Sequence, residues 1–272
     1  MISVIIPCYN HDRYIEKTLD SILEEDYFDK EIVIINDGSS DNSHQVITKW
    51  IDKYSSKISI TYKNRENRGL NYTLNELICL SKGEYIVLMD SDDYLLNNGL
   101  KKRYEYLKNH PEKKAVFADA ILIDKDDNKL YESMLFDFRG YPKDAFRDEE
   151  SIKRTLLKRF VLAGPILMVK KELYDEIGEY DESFLAEDLD FYLRSMPKNI
   201  IGFIPEKVCA YRIHDTNQSL AGITPKLLAD SRKSFLKHLP KYELKYKPRM
   251  LWTAFKFLVR EYLLRLKLLL QK

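Results

Sequence analysis

Three cysteines in 272 residues, Cys8, Cys79 and Cys209, are too few and too scattered for a disulfide framework or a cysteine-rich metal site. That scarcity excludes the small stapled scaffolds of secreted proteins and fits a reducing, cytoplasmic setting. No run of about 18 apolar residues occurs, so no membrane-spanning helix is expected. No basic segment with a cleavage site precedes the strand that opens at Ile2, so no signal peptide is expected either. Glycine is sparse, at 9 residues, and none builds a Gly-rich basic phosphate loop after Ile6.

What the chain does carry is a strand that ends in acid. Tyr85 to Met89 are uncharged β-formers, the composition of a buried central strand, and Asp90, Ser91, Asp92 and Asp93 follow at once. Three carboxylates at a strand tip repel one another unless a cation lies between them. Oxygen ligands at this spacing suit Mg2+ or Mn2+ with positions left open for phosphate oxygens. By itself the segment reads equally well as a strand leading into an acidic surface turn. Ile2 to Ile6 before Pro7-Cys8-Tyr9-Asn10, and Glu31 to Ile35 before Asn36-Asp37-Gly38, repeat the design of an apolar run meeting a polar turn. Helical spacing follows each, with Tyr14, Thr18 and Ile22 after the first and Val46, Ile47, Trp50, Ile51 and Tyr54 after the second. Alternating strands and helices predict a mostly parallel α/β sheet with right-handed crossovers, whose ligands bind beyond the carboxyl ends of the strands. Asn10, Asp37 and the Asp90–Asp93 turn would then meet in one crevice.

In order, the chain carries Val4-Ile5-Ile6-Pro7-Cys8-Tyr9-Asn10, Asn36-Asp37-Gly38-Ser39-Ser40-Asp41, Asn67-Arg68-Gly69-Leu70 with Asn75, Asp90-Ser91-Asp92-Asp93, Glu187-Asp188 and Tyr211-Arg212-Ile213-His214. Together these segments resemble the family 2 glycosyltransferases of the GT-A fold over about residues 1–215. Any one of them alone would be weak; in sequence they are specific. The resemblance implies a GT-A, Rossmann-like sheet flanked by helices. It implies a nucleotide-sugar half over about residues 1–95 and an acceptor half over about 96–215; beyond it, residues 216–272 read as a basic helical tail. It further implies an inverting, metal-dependent transfer of sugar from a nucleotide-sugar, expected to be UDP-linked, to an acceptor hydroxyl.

The resemblance also distributes roles. Asp37 is assigned to the uracil ring, whose N3–H needs an acceptor such as a carboxylate. Turn or cap duty is the bland alternative for Asp37, and is left to Asp41. Asn36 stands where the family often shows another Asp. Asp90 falls on the ribose side of the donor and Asp92 on the Mn2+ or Mg2+ ion that bridges the two phosphates. Asp93 is left between holding waters of that ion and capping a helix from near Leu95. Pro7, Tyr9, Asn10 and Ser91 join the nucleotide-sugar contacts, with Arg68 and Arg212 offering guanidinium groups to phosphate oxygens. His214 completes the metal site or meets the diphosphate, against the ordinary reading of a loop histidine as solvent-facing. His11, His44, His110 and His238 carry no comparable context. Asp188 is the general base that takes the proton of a sugar hydroxyl, with Glu187 in support; a first-turn pair favouring the helix dipole is the alternative, and the two are compatible. Asp190 is expected at the surface. Gly164-Pro165, after Phe160-Val161-Leu162-Ala163, is placed on the sugar and acceptor pocket by position alone.

The net charge of +1 hides an asymmetry: residues 216–272 hold 13 Lys+Arg against 3 Asp+Glu, or +10, leaving 31 against 40, or −9, in the rest. Met250 to Gln271 contains neither Pro nor Gly. On a helical wheel Arg249, Lys256, Arg260 and Lys267 fall within about 40° of one another, and Trp252, Phe255, Val259, Leu263 and Leu270 occupy much of the remaining circumference. This basic amphipathic pattern suits an anionic membrane surface, here the inner face of the cell membrane. Packing on the catalytic domain, or on another subunit in a homodimer, are the alternatives. No nucleic-acid-binding motif accompanies the charge, so no nucleic-acid partner is expected. The tail points to an acceptor sugar carried on a lipid, as in assembly of surface polysaccharide or glycolipid, with a hexosyl or N-acetylhexosaminyl unit transferred. Two rival readings remain. A sugar nucleotidyltransferase would share the sheet and the acids, but the phosphate loop is missing after Ile6. A non-catalytic nucleotide- or sugar-binding module would not need Asp92 and Asp188 intact.

Overall fold

The computed structural model of the protein describes residues 1–160, 162–215, 217 and 223–270. Val161, the first residues of the basic tail (216 and 218–222) and the last two residues, Gln271 and Lys272, lie outside that set. The first half alternates strictly: β1 (Ile2–Cys8), α1 (Ile15–Glu24), β2 (Lys30–Asp37), α2 (Ser43–Tyr54), β3 (Ser59–Arg65), α3 (Leu70–Leu80) and β4 (Tyr85–Leu88). The second half is mixed: β5 (Tyr94–Leu95), α4 (Gly99–Asn109), β6 (Ala115–Ile123), β7 (Lys129–Tyr131), α5 (Glu149–Lys158), β8 (Leu167–Lys170), α6 (Glu172–Ile177), α7 (Glu187–Ser195) and β9 (Ile201–Arg212). Two helices close the chain, α8 (Pro225–His238) and α9 (Lys247–Leu270).

Among the described residues one sheet of nine strands results, in the order β3-β2-β1-β4-β8-β6-β9-β5 with β7 alongside β6. The four strands β3, β2, β1 and β4 are parallel; β1, β2 and β4 carry the apolar runs of strands covered on both faces, while β3, with Lys63, Asn64 and Arg65, is the polar strand at the sheet edge. Register places Cys8 opposite Asn36 and Ile5 opposite Leu88, so β4 stops three residues short of β1. The turns after β1, β2 and β4 therefore open on one edge of the sheet. β8 runs antiparallel between β4 and β6, and β9 runs parallel to β6.

Two expectations are corrected here. No helix begins near Leu95: Tyr94 and Leu95 are β-formers and pair antiparallel with Ala210 and Cys209 on the edge of β9, and α4 starts only at Gly99. Asp93 is not a helix cap; its Oδ1 accepts the backbone N–H of Arg212 at 2.7 Å. Asp190 is not on the surface. It is buried on α7, 2.8 Å from Arg194 Nε, and its Oδ1 takes hydrogen bonds of 2.7 Å from Ser234 Oγ and His238 Nε2 of α8. Ser234 and His238 of α8, with Arg194 on α7 itself, supply the partners that let this carboxylate leave water. The tail is thus joined to the main body: Phe235, Tyr242, Tyr246, Met250 and Ala254 belong to the same hydrophobic cluster as the sheet.

Candidate active site

The β2 turn is built around Asp37. Its carboxylate accepts the backbone N–H groups of Arg68 at 2.9 Å and Gly69 at 3.0 Å and is ion-paired with the Arg65 guanidinium. Gly38, at φ +76°, lets Asn67 close in; a Cβ there would sit 2.5 Å from Asn67 N. Arg68 reaches this site through its main chain, while its guanidinium lies 3.4 Å over the Tyr72 ring. Asn36 is buried and donates to Asn64 Oδ1 at 2.8 Å. The β1 turn is laced to it. Asn10, in the left-handed region at φ 57°, accepts from Ser40 N at 2.8 Å, and its own N–H donates to Ser39 Oγ at 2.9 Å. Asp41 accepts from Ser43 N and Asp12 N, both at 2.9 Å, and so ties the start of α2 to the β1 turn.

The acidic turn after β4 is held from below and from both sides. Thr18 Oγ1 on α1 donates to the carbonyls of Ser91 at 3.1 Å and Asp93 at 2.6 Å. Arg212, fully buried at the end of β9, donates from Nε to the Asp92 carbonyl at 2.7 Å, from Nη1 to the Asp124 carbonyl at 3.1 Å, and pairs with Asp127 at 2.7 Å. Its guanidinium also lies 4.6 Å from the Tyr14 ring centroid. Arg212 is therefore a strut beneath the turn, its donors spent on protein rather than left for a phosphate. His214 Nε2 lies 2.8 Å from Asp92 Oδ2, which also accepts from Asn217 Nδ2 at 3.0 Å. Across the turn His11 Nδ1 is 2.7 Å from Ser91 Oγ and 3.9 Å from Asp92 Oδ1.

A second acidic pair approaches on α7. Glu187 and Asp188 open that helix, and two asparagines of α3 place the segment leading into it. Asn75 exchanges hydrogen bonds with the backbone of Tyr180, at 2.9 and 2.8 Å, and Asn71 donates to the carbonyls of Asp181 at 2.7 Å and Phe184 at 2.8 Å. Both acidic groups line one cavity of about 880 Å³. Pro7, Tyr9, Asn10 and Asp37 border it on the β1 and β2 side. Asp90, Ser91 and Asp92 border it at β4, with Glu187 and Asp188 at α7. Gly164 and Phe160 also face it. The Arg68 and Arg212 side chains do not; His214 meets the site through Asp92.

Charge in this crevice is out of balance. Burial raises the Asp90 carboxyl well above its usual range, and the neighbouring Asp92 and Asp188 push it the same way. Asp93 is raised by burial and by Asp92 and Asp90. Asp188 is raised by burial and by Glu187, while Glu187, buried and near Asp90, is pushed up to about 7. Asp92 moves the other way: burial would raise it, but the His214 hydrogen bond and the charges of the two histidines outweigh that. Burial lowers His11, against the pull of the Asp92 charge. The ligand atoms of His11, Asp92 and His214 lie within 4.8 Å of one another, as do those of Asp90, Asp92 and Asp93. Carboxylate oxygens with neutral imidazole fit a divalent ion such as Mn2+, and Asp93 Oδ2 is buried without a hydrogen-bond partner among the described residues.

Three residues of the site have no counterpart in the sequence reading: His11, Arg139 and Asn217, the last a donor to Asp92 Oδ2 at 3.0 Å. His11 was grouped with the histidines lacking context, because its partner Ser91 is 80 positions away. Arg139 lines the same cavity, half-buried and without an acidic partner among the described residues, and burial lowers its pKa. Nothing in its local sequence marks it.

A half-parallel sheet with an acidic turn on its carboxyl edge, facing a second acidic pair at a helix start, is the arrangement of a GT-A glycosyltransferase. The chain belongs to the family described as Glycosyl transferase family 2, whose pattern matches residues 3–178. An uncharacterized glycosyltransferase of Methanocaldococcus jannaschii is 26% identical over 231 residues, which span 84% of this chain and 76% of that protein. One from Rickettsia prowazekii is 29% identical over 249 residues, 90% of this chain and 74% of the relative. Among solved structures, S. aureus TarS 1–349 in complex with UDP-GlcNAc superposes with a TM-score of 0.71 at 20% identity, over 96% of this chain and 72% of that one. The mannosyltransferase PcManGT from Pyrobaculum calidifontis, in complex with GDP-Man and Mn2+, superposes with a TM-score of 0.68 at 20% identity, over 95% and 74%. At that identity these two likenesses speak for the fold.

Proposed function

We propose that this glycosyltransferase transfers a hexosyl or N-acetylhexosaminyl unit, with inversion, from a UDP-linked donor to an acceptor hydroxyl. The observation that carries the reading is the opening of Asp90, Asp92, Glu187 and Asp188 into one cavity bounded by Asp37. Asp37 Oδ2 accepts only Gly69 N among the described residues, which leaves it a lone pair for uracil N3–H. Asp90 takes the ribose side, and Pro7, Tyr9, Asn10 and Ser91 wall the nucleotide. Arg68 contributes its backbone to the Asp37 turn, and Arg212 acts by holding that of Asp92. Asp92, His214 and His11 would hold a divalent cation, Mn2+ or Mg2+, which supplies positive charge to the diphosphate oxygens.

Asp188 accepts the proton of the acceptor hydroxyl as its oxygen attacks the anomeric carbon. The bond from that carbon to the diphosphate oxygen breaks, and its electron pair leaves with the nucleoside diphosphate. Attack comes from the face opposite the leaving group, so an α-linked donor yields a β-glycoside. Glu187, pushed up to about 7 by burial, raises the basicity of Asp188 beside it. The catalytic unit in this reading is residues 1–215, with the donor half over about 1–95 and the acceptor half over about 96–215. Asn217 and Leu227 of the tail complete the cavity wall. The acceptor is a sugar carried on a lipid at the cytoplasmic leaflet, as in surface polysaccharide or glycolipid assembly.

Replacing Asp188 by Asn tests the base. Transfer is expected to fall by about 10²–10⁴, while calorimetric affinity for the donor stays within about twofold. Donor affinity lost in step with turnover would contradict the assignment.

A further inference from the structure

Helix α9 is docked along one seam and bare on the other. Met250, Thr253, Ala254 and Glu261 are buried where the helix packs on α8 and α5. Opposite them Leu251, Phe255, Leu258, Val259, Tyr262 and Leu263 are exposed, and Trp252 is 60% exposed. On the helical wheel these residues form an arc of about 140°. Its flanks carry Arg249, Lys256, Arg260 and Lys267 on one side and Arg265 on the other. A contiguous apolar face of this extent rarely stays in water. None of the described helices is long and apolar enough to cross a membrane.

A second feature lies at the N-terminal end of the arc. A cavity of about 520 Å³ is bordered by Lys158, Lys245, Arg249 and Lys256, together with Trp252 and Pro248. Lys245 is engaged by Glu150 at 3.1 Å and Glu243 at 3.4 Å. Lys158, Arg249 and Lys256 have no acidic partner among the described residues. Three uncompensated cations around a hollow beside an exposed indole are the donors that a phosphate group requires.

We infer that this face of α9, with the basic cavity at its end, docks on an anionic lipid bilayer. The apolar arc enters the boundary between headgroups and acyl chains, and the cavity takes a lipid phosphate. Charge decides against a second copy of the chain as the occupant. Pairing two α9 helices through their arcs would set basic flank against basic flank, and the one acid of α9, Glu261, lies on the buried seam and is paired with Arg265. The arc is also wider than the seam of a coiled coil.

The test uses the full chain with vesicles of phosphatidylcholine, or of phosphatidylcholine and phosphatidylglycerol in equal parts. The chain's two tryptophans differ sharply, Trp50 at 3% exposure and Trp252 at 60%, so a blue shift in emission reports Trp252 leaving water. Sedimentation with the mixed vesicles, accompanied by that shift, and little binding to the neutral ones is the expected result. The triple variant Lys158→Glu, Arg249→Glu, Lys256→Glu alters exposed side chains only. It should keep the wild-type unfolding midpoint yet bind mixed vesicles at least about a hundredfold more weakly, each base near such a surface being worth about fivefold. Equal binding to both vesicles, no binding to either, or an unaltered triple variant would overturn the inference. So would a blue shift that appears without vesicles and grows with protein concentration, which would assign the arc to a second copy.

Discussion

Asp92 is the residue on which the candidate site converges. One carboxylate oxygen faces His214 and Asn217, the other His11, while its carbonyl is held by Arg212. The partly buried His11 ring, its ligand nitrogen within 4.8 Å of the ligand atoms of Asp92 and His214, is suited to complete a cation site that carboxylates alone would overcharge. Changing His11 to Ala is expected to raise the Mn2+ concentration needed for half-maximal transfer by about 10–100-fold while the unfolding midpoint without metal changes little. An unchanged metal requirement would remove His11 from the ligand set. At this scale legibility followed chain proximity. Asp37, Asp90 and Asp92 could be placed on the carboxyl edge because each directly follows an apolar strand. His11 and Arg139 could not, since their surroundings are assembled from β4, β9 and the segment after β7. Arg212 shows the converse: a cation beside a site motif was read as a phosphate contact, and tertiary structure has spent its donors on carbonyls and Asp127.

Among the elements, α7 carries the most consequence, because its first turn presents Glu187 and Asp188. It is fixed at one end by Asn71 and Asn75 of α3 and along its body by the buried Asp190–Arg194–His238–Ser234 cluster shared with α8. Burial alone would raise the Asp190 carboxyl, but the hydrogen bonds from His238 and Ser234 and the Arg194 charge hold it at about 2, below the usual 3.8. A depressed carboxyl stabilises the fold fully above its unfolded value and loses that contribution as it is protonated in the folded state. Stability should therefore decline as pH falls from 3.8 to about 2. In Asp190→Asn that decline should be shallower, and the variant, leaving Arg194 buried and unpaired, should already be about 3–5 kcal/mol less stable at neutral pH. Urea midpoints across the acid range decide it; identical pH slopes would show that Asp190 contributes nothing. Most of the alternating first half is legible because strand and helix periods differ so plainly there, but β3, polar and at the sheet edge, shows no apolar run to read. The insertion of β8 between β4 and β6 was not, since a four-residue apolar run such as Leu167–Lys170 has no period to read. Tyr94–Leu95 was too short to announce itself as a strand.

For the molecule as a whole, the division of charge is the organising fact. A body of net −9 concentrates acid in a crevice, and a tail of net +10 closes one wall of that crevice with Asn217 and Leu227 before running out as α9. In the proposed function, that excess of buried carboxylate would receive a cation and, through it, a diphosphate. The tail's helical character and basic flank are legible in its Pro- and Gly-free run, but its anchorage through Asp190 and His238 is not, because the partners lie 48 positions apart: Asp190 reads as a surface acid and His238 as a histidine without context. The central claim is that the crevice binds a nucleoside diphosphate through a cation at Asp92. Thermal unfolding with UDP, GDP, dTDP or CMP, each with and without Mn2+, tests it most directly. At about 100 times its dissociation constant, UDP with Mn2+ should raise the midpoint by roughly 5–10 °C, and Asp92→Ala should abolish the rise. No shift with any nucleotide, or a shift that neither needs Mn2+ nor depends on Asp92, would contradict the account.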